Sequence, residues 1–454
     1  MPRLDNDDGP RYLQIVAALE HDIATGKVAV GQRLPTHREM ASRLGLSIGT
    51  VSRAYALAEA RGLISGEVGR GTFVTGKTPQ LGVTEAAWAQ RGVNLALNAP
   101  PATGEAEDFA RTMGELIGDD ALHGLMGYLP HQGLEAHRTA MAGWVSTLGM
   151  EAAPDRLHVT HGAQHAIAIA LRLLARSGAP VLTENLPYSG IMSLALMEGY
   201  DLRGVHMDRH GLIPERLDAA FRASGPAVLY CTPTLQAATG SLMPPERRAE
   251  IAEIVARHDG WIVEDDAYGF LPPDGVMPLS AFLPERSVYV VSFAKCLSPS
   301  LRVGAMVAPA GMRDRIINAI RSTGWMANPI MAEVTTRMIE NGLMARQVRA
   351  KRTAAAERTE VARARLGPAL DPMSDVPAFH VWMRLPPGRA PVGLMTQAAQ
   401  AGITVATPTP LQPLDTMGNG IRICLGGAPD IAALDTALST LADILEGTEA
   451  MSLV

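Results

Sequence analysis

From near residue 93 the chain alternates short apolar runs with amphipathic stretches, and it keeps this up for roughly 350 residues. The runs Leu157 to Thr160, Val181 to Glu184, Ala227 to Cys231, Trp261 to Glu264 and Val288 to Ser292 have strand length. Between them lie segments such as Pro245 to His258, whose apolar positions recur at helical spacing. A strand that is apolar along its whole length must be covered on both faces. A helical connection between such strands returns the chain in the parallel sense. The pattern predicts an α/β body with a mostly parallel sheet, in which ligand-binding residues gather beyond the carboxyl ends of the strands.

The residues at those ends carry recognisable chemistry. Val288-Tyr-Val-Val291 leads into Ser292-Phe-Ala-Lys295, with Leu301-Arg-Val-Gly304 shortly behind. A lysine so placed can form a Schiff base with an aldehyde, and Ser292 and Arg302 can hold a phosphate. Trp261-Ile-Val-Glu-Asp-Asp-Ala-Tyr268 ends a strand in carboxylates. A buried Asp265 would keep a pyridine nitrogen protonated, and Tyr268 could reach a phenolic oxygen; a solvated turn is the other reading. His158-Val-Thr-His-Gly-Ala-Gln164 runs through Gly162 into a helix from Ala163 to Ala175. The N–H groups of Gly162, Ala163 and Gln164 would form an anion site there, or simply a strand-to-helix turn. Tyr188 could stack on a ring or fill a core. Arg422, in the apolar run Gly420-Ile-Arg-Ile-Cys424, needs a partner. That partner is either a ligand carboxylate or an internal Asp or Glu.

The first 75 residues follow a different plan. A helix from Pro10 to Thr25 presents Tyr12, Ile15, Val16, Leu19 and Ile23 on one face. Thr36 caps a second helix that stops at Gly45, and Ser47 caps a third that carries Ile48, Val51, Tyr55 and Ala58 and ends at Gly62. Two short strands, Leu63 to Ser65 and Thr72 to Val74, follow. The Gly45-Leu46-Ser47 break has helix-turn-helix geometry. Ser47, Thr50, Ser52 and Arg53 lie on the polar side of the third helix, where they could meet a major groove. Arg38 is a phosphate candidate, and Arg70, at the Gly69-Arg70-Gly71 tip, a backbone or minor-groove one. Periodicity alone leaves a plain packing module equally open. Residues 76–92, rich in Gly, Pro, Thr and Ala, read as a linker before a body of residues 93–450.

Composition narrows the setting. The net charge is −6, yet residues 1–76 hold nine Lys/Arg against eight Asp/Glu, so the head carries +1 and the remainder −7. No apolar run approaches a membrane span; the richest, Ala166 to Ala175, is broken by Arg172. The first residues lack the apolar core of a signal peptide. Cys231, Cys296 and Cys424 show neither disulfide nor metal-ligand spacing, which fits a reducing cytoplasm.

The head, through "LPTHREMASRLGLS", "TVSRAY", "GLI" and "GRGTFV", resembles the winged helix-turn-helix domain of the GntR regulators. Ile48 departs from it, standing where an arginine often opens the recognition helix. Residues Asn94 to Leu445 resemble the fold-type I aminotransferases of class I/II, in cluster order above all. That resemblance implies a large mostly parallel sheet domain with a smaller α+β domain, and pyridoxal 5'-phosphate as cofactor. It implies Lys295 as the Schiff-base lysine, Asp265 on the ring nitrogen and Tyr268 on the phenolic oxygen. Gly162, Ala163, Gln164, Ser292 and Arg302 would surround the phosphate, Tyr188 would stack on the ring, and Arg422 would take an α-carboxylate. Tyr128, in Gly127-Tyr-Leu-Pro-His-Gln-Gly133, would be lent to the partner of a homodimer. Two positions depart: Ala237 replaces an asparagine that would reach the phenolic oxygen, and Ala294 a second phosphate-binding serine. The two parts joined resemble the MocR regulators. This implies a transcription regulator that binds double-stranded operator DNA and senses an amino-compound effector, or the cofactor itself, through aldimine exchange at Lys295. The alternatives are an active aminotransferase with an appended head, and a regulator whose body has lost the cofactor.

Overall fold

A computed structural model describes residues 11–24, 27–29, 31–60, 63–67, 71–74, 92–175, 178–371, 373–386, 389, 391–412 and 419–451. The chain forms two compact units, residues 1–84 and 85–454. Arg70 and the Gly69 tip, Pro10, Thr25, and the linker residues up to 91 lie outside the described residues.

In the first unit, helices Arg11–Ala24, His37–Leu44 and Ile48–Ala60 precede a hairpin of Ile64–Glu67 and Gly71–Val74. The second helix is well specified at both ends. Thr36 accepts the Glu39 N–H while the Glu39 carboxylate takes the Thr36 N–H, a reciprocal capping box; Gly45 closes the helix at φ 66°. Ser47 caps the third helix by accepting the Thr50 N–H at 3.1 Å. Ile15, Val16, Leu19, Met40, Val51, Tyr55, Leu63 and Val74 make one core. The first strand begins one residue later than expected: the Leu63 N–H bonds back to Ala58 O at 2.9 Å, and pairing starts with Ile64 opposite Val74. It runs on to Glu67 because Gly66 and Glu67 pair with Thr72 and Gly71.

The second unit is built on a seven-stranded sheet. Its spatial order is Leu157–Thr160, Gly304–Val307, Ser287–Ser292, Trp261–Asp265, Val228–Cys231, Val181–Glu184, Leu202–Val205. Gly304–Val307 runs antiparallel to both neighbours, and the other pairings along the order are parallel. The sheet is thus mostly parallel, as expected, with one reversed strand inside it. All five of the expected strands are buried at every position or all but one, the mark of a sheet covered on both faces. A smaller antiparallel sheet joins Leu370–Asp371, His380–Arg384 and Gly420–Cys424. Val93–Asn94 pairs in parallel with Ile403–Thr404. The helices Leu343–Leu366 and Ile431–Met451 pack on each other beside the smaller sheet, around a core that includes Leu394, Ile421, Ile423, Leu434 and Leu438. The three cysteines are free and buried. No helix among the described residues is long and apolar enough to cross a membrane.

Candidate cofactor site and nucleic-acid interface

Lys295 stands on the single helical turn Phe293–Cys296, which follows directly from the strand Ser287–Ser292. Ser292 starts that turn by accepting the Ala294 N–H at 3.2 Å. The Lys295 amine donates to the backbone carbonyl of Asn98 and lies 5.9 Å from the centre of the Tyr268 ring. Burial disfavours the ammonium and lowers its pKa to about 8; Arg422 pushes the same way, and Cys424 and Asp265 oppose it.

Asp265 ends the neighbouring strand. Tyr230 donates to its Oδ2 at 3.0 Å, while its buried Oδ1 has no partner. Burial raises this carboxyl to about 6 against the Tyr230 hydrogen bond. Burial likewise drives the Tyr268 hydroxyl far above its ordinary range, so it remains a proton donor.

Three loops meet at the other end of the site. Gly162, at φ 74°, opens the helix Ala163–Leu174, and a Cβ there would lie 3.0 Å from Nη2 of Arg302. A Cβ on Gly304 would fall 2.6 Å from the Gly162 carbonyl carbon. Gly304 therefore needs glycine for close backbone approach, and Gly162 for its positive φ. Arg302 itself is left-handed, φ 51° and ψ 36°, a conformation that costs a non-glycine residue about 1–2 kcal/mol. It turns the guanidinium back towards the helix start, where Nη2 makes a long contact of 3.5 Å with the His161 carbonyl. Gln164 donates to Gly190 O at 2.9 Å. A Cβ on Gly190 would strike the Tyr188 ring at 2.2 Å, so the small residue makes room for both neighbours. Burial raises the Tyr188 hydroxyl, which also feels Asp265, Arg302 and Arg422.

Arg422 resolves one open question. Its Nη1 donates to Ala237 O at 2.9 Å and its Nη2 to Ala96 O at 3.1 Å, and its buried Nε has no partner. No carboxylate pairs with it among the described residues, so the internal ion pair is not the answer.

The donor set fits pyridoxal phosphate. An unpartnered carboxylate oxygen on Asp265 suits a protonated ring nitrogen. The glycine-lined helix start beside Arg302 suits a phosphate, and Lys295 supplies a partly deprotonated amine.

In the head, Arg38, Ser47 and Arg53 are exposed, and Thr50 and Ser52 half-buried. Several of these groups also serve the fold. Ser47 caps its helix and its Oγ lies 2.8 Å from the Thr50 hydroxyl. Ser52 shares a 2.9 Å hydrogen bond with His37 Nδ1, and Arg53 stacks 4.4 Å above the Tyr12 ring. Ile48 opens the third helix 49% exposed.

Residues 90–441 match the family model described as aminotransferase class I and II, and residues 11–74 match the one described as bacterial regulatory proteins, gntR family. The chain belongs to the class I and II aminotransferase family and, with its GntR head, to the MocR-type regulators. It is 30% identical over 388 residues to the probable rhizopine catabolism regulatory protein MocR of Rhizobium meliloti, covering 79% of this chain and 78% of that one. It is 25% identical over 325 residues to the pyridoxine biosynthesis transcriptional regulator PdxR of Corynebacterium glutamicum, covering 70% of each. The fold is shared with LysN, the α-aminoadipate aminotransferase of Thermus thermophilus, at a TM-score of 0.70 and 22% identity, over 79% of this chain and 93% of that one. The GntR head is a DNA-binding domain, and the cofactor of this MocR-type body is pyridoxal phosphate.

Not every residue tied to this site announced itself in the sequence. Tyr230, Glu184, Gln236, His380 and Asn98 all bear on it. Glu184 is fully buried and accepts from Thr232 N and Thr232 Oγ1, each at 2.9 Å, and from Gln236 Nε2 at 3.4 Å. Burial raises it to about 7. Tyr128 stands apart from the cofactor residues: it is 86% exposed and tilted against Trp325, with ring centres 5.5 Å apart. Ala237 offers only its backbone here, accepting from Arg422 Nη1 at 2.9 Å and donating to Thr232 Oγ1 at 3.3 Å.

Proposed function

We propose that this MocR-type protein senses an amino acid through pyridoxal phosphate held at Lys295, and that exchange of the Schiff base there alters operator binding by the head. Pyridoxal phosphate supplies an aldehyde carbon that condenses with amines, made electron-poor by a protonated ring nitrogen. Lys295 offers the resident amine, and its lowered pKa keeps a useful fraction neutral near pH 7. Asp265 holds the ring proton, Tyr268 donates to the phenolic oxygen and Tyr188 stacks on the ring. The amides of Gly162, Ala163 and Gln164, with Ser292 and Arg302, take the phosphate. The observation that carries the reading is Arg422, a guanidinium near Lys295 that donates to two backbone carbonyls and pairs with no carboxylate among the described residues. A ligand carboxylate completes it.

Ala237 favours sensing over turnover. A methyl group replaces the amide that would share the phenolic oxygen with Tyr268, so the Schiff base is bound with less control over its proton. On this reading residues 1–75 are the head, 76–92 the linker and 93–450 a body that works in the cytoplasm as a homodimer, Tyr128 reaching the partner's phosphate. The test is fluorescence anisotropy on a duplex selected with the protein from a random pool. Affinity should change when amino acids are added to cofactor-loaded wild type, and the change should vanish in Lys295→Ala. The same affinity in every state sinks the proposal.

A further inference from the structure

The site holds one more unsatisfied group, and its orientation is fixed by a chain of partners. His380 opens the strand His380–Arg384, which pairs with the strand bearing Arg422. Its Nε2 lies 2.8 Å from the backbone carbonyl of Gln236. A carbonyl only accepts, so Nε2 carries the hydrogen. Burial keeps the ring neutral, with a pKa of about 3. Nδ1 is therefore a lone pair, and the group facing it at 3.2 Å, the Asn98 side chain, must present Nδ2. That leaves the Asn98 Oδ1 turned away from His380, buried, and without a partner.

Gln236, the far end of this chain, is itself held rigidly. Its Oε1 accepts from Ala238 N at 2.9 Å and Thr239 N at 2.8 Å, and its Nε2 donates to Leu186 O at 2.7 Å. The amide of Asn98 is thus set by packed groups and not by solvent. A buried acceptor with no donor is rare, because it forfeits the hydrogen bond that water would supply.

Its location says what the donor belongs to. The backbone carbonyl of Asn98 accepts the Lys295 amine, so the unpartnered Oδ1 lies within one residue's reach of the atom where an effector's amino group takes over. The His380 ring stands 5.5 Å from the Tyr268 ring, which in turn lies under Lys295. Lys295 marks the amino group of an amino acid and Arg422 its carboxylate. A third contact near the same carbon falls on the side chain.

We propose that Asn98, aligned by His380, is a specificity-determining residue that selects amino-acid effectors whose side chain donates a hydrogen bond through a hydroxyl or amide. This rests on the sensing function proposed above and narrows its ligand class. An apolar side chain would leave Oδ1 unpaired on binding, and the cost of that loss is the basis of the discrimination.

Titration of the cofactor-loaded full-length protein with near-isosteric pairs tests it, the Schiff-base absorbance reporting binding directly. The pairs are L-serine with L-2-aminobutyrate, L-threonine with L-valine, and L-asparagine with L-leucine. In wild type the donor-bearing member of at least one pair should bind about tenfold more tightly, the scale of one neutral hydrogen bond. Asn98→Ala should bring that ratio close to one. His380→Phe, which frees the amide to turn, should reduce it as well and carries the test if Asn98→Ala does not fold. Equal affinities within every wild-type pair, or a preference that survives both substitutions, overturns the inference and leaves the sensing function standing. No spectral change with any amino acid overturns both.

Discussion

The Tyr230 hydroxyl donates to Oδ2 of Asp265 at 3.0 Å from the adjacent parallel strand. One carboxylate oxygen is thereby committed inside the protein and the other left buried without a partner, the oxygen assigned above by proposal to the cofactor ring. Burial holds Asp265 at about 6, above its ordinary 3.8. A carboxyl raised in the folded state stabilises fully below its unfolded pKa, and that contribution fades as pH climbs through the folded value. In cofactor-free protein, Asp265→Asn removes this dependence. Its melting temperature should gain on wild type as pH rises from 4 to 7, by up to about 3 kcal/mol in stability. With cofactor present the order reverses, because the ionised pair exists only in wild type. Parallel melting curves at all pH values would contradict the assignment.

The lowered pKa of Lys295 makes a kinetic prediction. With a value of about 8, the neutral amine at pH 7 is roughly 300-fold more abundant than for a lysine at 10.5. Schiff-base formation on adding pyridoxal phosphate should reach half its limiting rate near pH 8. A midpoint above pH 10 would mean that Lys295 is not buried as described.

Arg422 should separate amino acids from the corresponding amines. Loss of a charge-assisted, desolvated contact predicts about a hundredfold weaker binding of an amino acid to Arg422→Gln. Its decarboxylated analogue should be little affected. Spectral titration of both ligands on both proteins gives the comparison, and equal weakening would remove the carboxylate role.

Ser47 stabilises the head as a helix cap, so the replacement matters more than the loss of the hydroxyl. Ser47→Ala should cost about 1 kcal/mol and Ser47→Gly only a few tenths. Denaturant unfolding followed by a probe in the head distinguishes them. Equal costs would mean that Ser47 does not act as the cap.

Much of this was readable from residue order because it depends on neighbours in the chain. Strand ends, the glycine before Ala163, the lysine after Ser292 and the caps at Thr36 and Ser47 are local facts, and the structure places them as the spacing predicts. Asn98 and His380 were not readable. They stand 282 positions apart, and neither sits in a run whose composition points to chemistry. Glu184 likewise ends an expected strand but gains its character from Thr232 and Gln236 on another loop. The head shows the same limit in reverse. Arg53 reads as a free cation on a helix face, whereas the Tyr12 ring lies beneath it, contributed by a different helix.

Arg422 is held by the carbonyls of Ala96 and Ala237, one on each terminal nitrogen of its guanidinium. A free arginine gives up rotamer freedom when it clamps an anion, at about 0.5–1.5 kcal/mol for such a side chain. Here folding has already met that entropy cost. For the carboxylate contact proposed above, that cost therefore falls on folding and not on binding.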